Sequence, residues 1–177
     1  KFEDAMRIYY EILPFYEAPK LAYNKGIVLS SIAGILKTQN DLTGAKQYAL
    51  ESFRTMQKAA SLRGEAITAN NLGMIYYALN QKDSTYYYLN YALEIKRKQN
   101  DKKSIAASLS NLSSVYDKYQ EFEKAIAALS ECMTLQEEIS DKRGLALSAI
   151  TAGDLLSKSD KPEKAIDYYL RAYKTAA

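Results

Sequence analysis

Ala5, Ala45, Thr85, Ala125 and Ala165 stand at equal intervals along the chain, four times in succession without a slip. A fixed period of about 40 residues marks one structural unit written repeatedly, and it constrains the fold more than any other feature of the chain. Other columns keep the same period. Ile32, Leu72, Leu112 and Ala152 form one ladder, and Ala33, Gly73, Ser113 and Gly153 form a second that is always small. Leu36, Tyr76, Tyr116 and Leu156 form a large apolar or aromatic ladder. Ser52, Ala92, Cys132 and Ala172 are small again, with Ile12 as the outlier. Within one unit the apolar and small positions are spaced as two amphipathic helices. Small residues recur where two helices approach closely.

Helix B of a partial first repeat is predicted from Phe2 to Leu13, before Pro14 and Pro19 interrupt it. Four helix pairs follow. The A helices are predicted over 21–38, 64–79, 103–119 and 143–158, and the B helices over 42–60, 84–99, 122–139 and 162–176. Asn40-Asp41, Asn80-Gln81, Gln120-Glu121 and Asp160-Lys161-Pro162 supply the turns within repeats, and Asp101 and Asp141 read as N-caps. The chain is thus expected to be a single array over 1–177, with a half repeat at 1–13 and repeats at about 21–60, 64–99, 103–139 and 143–176. It begins at Lys1 inside a repeat, and Phe2-Glu3-Asp4-Ala5 matches Phe122-Glu123-Lys124-Ala125. It therefore reads as a fragment of a longer protein, with any targeting or effector segment lying outside it.

Composition excludes several classes. A net charge of +3 from 24 basic and 21 acidic residues is too mild for a nucleic-acid interface. The absence of histidine removes His-based acid–base chemistry, Ser-His-Asp and Cys-His nucleophiles and ordinary zinc sites. A single cysteine, Cys132, excludes an intrachain disulfide and falls in a small core column. No apolar run approaches the roughly 20 residues of a membrane span. Neither metal nor cofactor is expected, and no enzymatic activity.

Three units carry the joint pattern Ala69, Leu72, Gly73, Tyr76, Thr85, Leu89, Ala92; then Leu109, Leu112, Ser113, Tyr116, Ala125, Leu129, Cys132; then Ala149, Ala152, Gly153, Leu156, Ala165, Tyr169, Ala172. Leu29, Ile32, Ala33, Leu36, Ala45, Ala49 and Ser52 are a weaker copy. This pattern resembles the tetratricopeptide repeat, although its period is longer than the usual one of about 34 residues. HEAT and armadillo arrays also run at roughly 40 residues, but the small columns and the helix-A tyrosine fit the tetratricopeptide pattern better. Asn70 to Tyr76 and Asn111 to Tyr116 look similar to the longer repeats of kinesin light chain, Leu-Gly-Asn polarity adaptors and bacterial peptide-pheromone receptors. The Tyr- and Lys-rich style also resembles sensor segments ahead of bacterial histidine kinases or helix-turn-helix regulators.

The resemblance implies an all-α, right-handed superhelical solenoid that binds a protein or peptide segment in the concave groove of its A helices. The alternative reading is a ligand-sensing input domain of a kinase or transcriptional regulator. Carried over column by column, the groove positions are Asn70, Asn71, Met74 and Tyr77, then Ser110, Asn111, Ser114, Asp117 and Lys118, then Thr151, Asp154 and Lys158. Ile27, Ser30, Ser31, Gly34 and Lys37 of the weaker copy, with Ala78, Ile150 and Ser157, are further groove positions. An Asn side chain both donates and accepts, so Asn71 and Asn111 can clamp a peptide backbone without reading its sequence. The bland alternative is that they bond a neighbouring helix. Leu147 and Thr151 occupy columns where a terminal-carboxylate clamp needs Lys or Arg, so that mode is rejected. Lys96-Arg97-Lys98 ends a B helix, where cations suit the helix dipole. Tyr86, Tyr87, Tyr88 and Tyr91 cannot all be buried on one face, which makes them a candidate surface for self-association. Nucleic acid and direct membrane insertion are not expected. Cytoplasm is favoured as compartment, with periplasm open if the parent is a membrane sensor.

The register makes a stability prediction. Ala125→Leu overpacks the A–B contact and costs about 1–3 kcal/mol. Lys102→Ala on the surface changes stability by less than about 0.5 kcal/mol. Urea denaturation of both variants checks this, and equal effects would mean the register is misplaced.

Overall fold

In the computed structural model the described residues are 2–159 and 161–176, the side chain of Ala176 excepted. Lys1 and Asp160, the latter assigned to the last turn from sequence, lie outside them. The described residues form nine α-helices: α1 (Phe2–Ile12), α2 (Ala22–Thr38), α3 (Leu42–Lys58), α4 (Leu62–Ala78), α5 (Lys82–Lys98), α6 (Lys102–Lys118), α7 (Phe122–Glu138), α8 (Lys142–Lys158) and α9 (Pro162–Ala176). Pro14 and Pro19 each sit in a short 3₁₀ turn, Leu13–Tyr16 and Pro19–Leu21, between α1 and α2. No helix boundary lies more than two residues from its predicted place.

Each helix from α2 to α8 has 17 residues. Three residues join each of them to the next. At the middle of the turn the backbone takes positive φ, at Asn40, Ala60, Asn80, Asn100, Gln120 and Ser140. Two backbone bonds close the preceding helix around that residue. After α2, Asn40 N–H donates to the Lys37 carbonyl at 3.0 Å and Asp41 N–H to the Leu36 carbonyl at 2.9 Å. This is the Schellman arrangement, which satisfies carbonyls that the helix end would otherwise leave open. The same pair recurs after α3, α4, α5, α6 and α7. At four of the turns the third residue then caps the next helix, whereas Glu121 makes no such side-chain bond. Asp41, Asp101 and Asp141 accept through Oδ1 from the N–H of Gly44, Ser104 and Gly144, and Ser61 Oγ accepts from Gly64 N–H. Asp101 and Asp141 are thus the N-caps expected from sequence.

The chain divides into two compact units, Lys1–Ile95 and Lys96–Ala177. In the first, a core of Ala33, Ala45, Ala49, Phe53, Ala69, Leu72, Ile75 and Ala92 fills the space between A helices α2 and α4 and B helices α3 and α5. In the second, Ala125, Leu129, Met133, Leu145, Ala149, Ala152, Leu155 and Ala172 do the same among α7, α8 and α9. The small columns sit where helices touch. A Cβ on Gly73 would lie 2.6 Å from Leu89 Cδ2, and one on Gly153 would lie 2.6 Å from Tyr169 Cε1. Ala45, Thr85 and Ala125 are fully buried. Thr85 is tolerated in the alanine column because its hydroxyl donates to the Gln81 carbonyl at 2.9 Å. Ser52 and Cys132, two repeats apart in one small column, each bond across the A–B contact, donating to the carbonyls of Gly26 and Ala106 at 2.6 and 3.2 Å. Burial pushes the Cys132 thiol up from its ordinary value.

A left-handed turn residue with a Cβ costs about 1–2 kcal/mol relative to glycine. Ala60, at φ 50°, bears that cost. Ala60→Gly is therefore expected to raise stability by about 0.5–1 kcal/mol after the extra chain entropy of glycine is counted. Urea denaturation would read the gain, and a loss would mean that the methyl group contributes packing at the turn.

Candidate functional site

The A helices present a repeated face built from positions one helical turn apart. In the first unit α2 offers Ile27, Ser30, Ser31, Gly34 and Lys37, and α4 offers Ile67, Asn70, Asn71, Met74 and Tyr77. Asn71 is half-buried, and its Nδ2 donates to Ser30 Oγ at 3.1 Å, bridging the two A helices. The bland reading thus holds for that N–H. Asn70, Met74 and Tyr77 are half-buried around it. A cavity of about 260 Å³ opens here, lined by Ala33, Gly34, Lys37, Thr38, Asn71 and Ile75.

The second unit repeats the arrangement with different chemistry. Ser110 and Asn111 are half-buried on α6, and Ser114 is exposed with its hydroxyl on the Ser110 carbonyl. Asp117 is bridged to Lys158 of α8 at 2.8 Å, which joins two predicted groove residues and neutralises both. Lys118 is exposed, with its ammonium 5.9 Å from the centre of the Tyr119 ring. Thr151 bonds its own helix at the Leu147 carbonyl, and Asp154 accepts the Tyr169 hydroxyl of α9 at 2.8 Å. A cavity of about 270 Å³ between α6 and α8 is lined by Ala107, Ser110, Gln136, Leu147, Ser148 and Thr151, among others.

Sequence reasoning missed part of this face. Ile67 is 47% exposed and Leu147 57% exposed, beside Ile27 at 45% and Ile150 at 43%. Ile27, Ile67 and Leu147 share one column of the ladder, the turn before the Ser31, Asn71, Thr151 column. A pattern reading assigns apolar residues to the core, so this column was legible only by asking which ladder positions the core does not need.

The B helices carry their own ladder at an offset of 34 residues, which also escaped the sequence. Arg97 meets Glu131 at 2.8 Å, and Arg171 meets Glu137 at 2.6 Å, so the same kind of node is filled twice with the charges exchanged. In the first unit Glu17 and Glu51 occupy it, and Lys25 bridges them at 3.0 and 3.4 Å. Tyr91 donates to the buried Glu65 at 2.6 Å. Lys96, read from sequence as a dipole cation, is half-buried and donates to Ser108 Oγ at 2.6 Å, and burial lowers its pKa. Of the tyrosine cluster, Tyr88 and Tyr91 pack edge-on against Phe53, Tyr76 stacks on Tyr88 at 5.4 Å, and Tyr87 is exposed.

Residues 104–177 match the family model described as tetratricopeptide repeat. The fold is a tetratricopeptide-repeat array. BtubC (BKLC) from P. vanneervenii superposes with a TM-score of 0.88 at 18% identity, over 99% of this chain and 73% of its own. The nearly identical TPR-like repeats of a Podosopora anserina putative kinesin light chain give 0.81 at 12% identity, over 98% of this chain and 84% of theirs. A Rap protein complexed with Competence and Sporulation Factor gives 0.79 at 18% identity, over 94% of this chain and 46% of its own, so the match takes in less than half of that protein. No curated protein sequence matches the chain. Among the described residues no helix is long and apolar enough to cross a membrane.

Four tyrosines of the first unit have hydroxyls held neutral. A hydrogen bond to Tyr10 pushes Tyr48 up to about 12, the bond to Glu65 raises Tyr91, and burial raises Tyr76 and Tyr88. Unfolded tyrosine ionises near pH 10. Because the folded values are raised, their contribution is fully present below about pH 10 and is lost as pH climbs toward about 12. The thermal midpoint is therefore expected to hold to about pH 9.5 and then fall steeply, and the fall should shrink in Tyr48→Phe. Circular-dichroism melts alongside phenolate absorbance check this; a midpoint insensitive to pH across that window would contradict it.

Proposed function

We propose that this array is a protein-binding module whose A-helix face docks an extended or helical segment of a partner. The observation that carries this reading is the column of exposed aliphatic residues on the A helices, Ile27 and Ile67 in one unit and Leu147 in the other, where Ile150 of the neighbouring column is exposed as well. Each pair shares its helices with a cavity lined by amide or hydroxyl groups. Apolar anchors beside a few fixed polar groups are the composition of a surface that takes up peptide side chains while holding backbone. Asn71, through its carboxamide oxygen, and Asn111, Ser110, Ser114 and Thr151 supply the polar part. Met74 and Tyr77 extend the apolar part, Asp154 and Lys118 set its edges, and the Asp117–Lys158 bridge is a rim that a charged partner can open. Asn70 lies beside Asn71 on the same face. The Rap protein complexed with Competence and Sporulation Factor shares the fold, which lends support by analogy alone. A scaffold of this kind needs no catalytic group, and the chain has no histidine to supply one.

Pull-downs from cell extract test the face directly. Ile67→Asp and Leu147→Asp place charges on exposed anchors and are expected to leave the melting midpoint within a few degrees while reducing captured partner at least roughly tenfold. Asn71→Ala and Asn111→Ala are expected to reduce capture more weakly. Identical capture by wild type and all four folded variants would move the binding surface elsewhere.

A further inference from the structure

The end of α7 holds an unsolved polar group. Gln136 is only 7% exposed, and its Oε1 is buried without a hydrogen-bond partner. A buried acceptor in this state is destabilising, and such groups are rare enough in folded proteins to need an account. The repeat supplies one by comparison of equivalent positions. Two repeats earlier the residue is Met56, buried and apolar, and one repeat earlier it is Lys96, whose ammonium is satisfied by Ser108 at 2.6 Å. Ser148 is the equivalent of Ser108 and lines the same cavity as Gln136, yet its hydroxyl faces Cys132 Sγ at 3.6 Å instead. Where the earlier copies are closed by a thioether or a lysine–serine bond, this one is left open.

Gln136 also lines the cavity of about 270 Å³ between α6 and α8, on the A-helix face. That volume suits one side chain and little more. Ala106, Ala107 and Leu147 give the cavity apolar walls that suit an aliphatic stem. Ser110 and Lys103 line it too and can donate a hydrogen bond, and Asp141 lines it with a carboxylate whose Oδ1 accepts from Gly144 N–H. Oε1 is covered as it stands, so an occupant reaches it only once the Gln136 amide turns about its last bond; it must then bring an N–H for that oxygen and accept from a hydroxyl or ammonium. An ammonium would be drawn to Asp141 but has no acceptor for the Ser110 hydroxyl or for Lys103. A carboxylate offers no donor. A carboxamide satisfies both ends at once, and rotation of the Gln136 amide about its last bond lets it meet the ligand in either sense.

We infer that Gln136 and the α6–α8 cavity form a specificity subsite for a glutamine or asparagine side chain of the bound partner segment. The inference rests on the A-helix face being the docking surface, but its test does not need the partner. Butyramide carries the carboxamide on a short stem, and 2-pentanone is nearly the same shape without the N–H. Each is titrated into the ¹⁵N-labelled chain while the Gln136 side-chain amide and the Ala107 and Thr151 backbone amides are followed by NMR. Butyramide should shift all three, with an affinity at least fivefold above that of the ketone. Gln136→Met copies the residue at position 56, should fold at least as stably, and should bind the two probes equally. The wild-type comparison stands even if that variant fails to fold. No shift at Gln136, or equal affinity of the two probes for the wild-type chain, would overturn the subsite. Such a result leaves partner capture by the A face untouched, whereas unchanged capture by the A-face variants with probe discrimination intact would count against the docking reading and not against the cavity chemistry.

Discussion

The structure depends on a joint in which one residue finishes one helix and begins the next. Asp41, Ser61, Asp101 and Asp141 each give a backbone N–H to the helix behind and a side-chain oxygen to the helix ahead. Between those two duties the chain must pass through positive φ, at a single residue. A joint this short leaves no slack. Helices of equal length, joined by turns of three, bring the joint back at even intervals, and every second joint completes one period of the ladder. Each inserted residue would rotate every later side chain by about 100° around its helix, carrying the small columns off the contacts they serve. The strict period is therefore a consequence of the joint, and the cost of left-handed backbone at Ala60, Gln120 and Ser140 is offset by the two bonds that close each helix end.

Once the period is fixed, position and chemistry separate. The B-helix node at an offset of 34 is filled by Arg97 with Glu131 and by Glu137 with Arg171. In the other unit it holds two glutamates around Lys25, and elsewhere in that unit a tyrosine is bonded to a buried carboxylate. What each filling has in common is complementarity, and an exchange of both partners preserves it. The exposed pairs contribute about 0–1 kcal/mol each, so they tune the outer surface while the alanine and glycine contacts hold helices together. The Tyr91–Glu65 pair is different, because removing the phenol strands a buried carboxylate.

This separation explains what the sequence revealed. The alanine column was legible because full burial against a neighbouring helix admits only a small side chain, or a threonine that can bond its own helix. Asn40 and Asn80 announced their turns through a residue that tolerates left-handed backbone, whereas Ala60 and Ser140 gave no such signal. The Asp117–Lys158 bridge was hidden by its offset of 41, one repeat plus one residue, which only the packing of successive A helices produces. Lys96 looked solvated because its neighbours Arg97 and Lys98 are, yet it turns inward to Ser108. Leu147 was weighed only as an obstacle to a carboxylate clamp. Its exposure makes it an anchor in the proposed docking face.

The same logic bears on how an array of nearly identical units could distinguish one partner from another. Groups common to the columns, such as the exposed aliphatic residues, offer every segment a similar welcome and set affinity. Discrimination has to come from positions at which the repeats differ, because only these make one stretch of the face unlike the next. The Met56, Lys96, Gln136 column is such a position, and at Gln136 it differs where it is buried, so a mismatch there cannot be relieved by solvent. A polar group that cannot reach water penalises an occupant lacking the matching hydrogen bond far more than an exposed one would. On this reading, repetition sets the spacing along the face and the departures from it carry the selectivity.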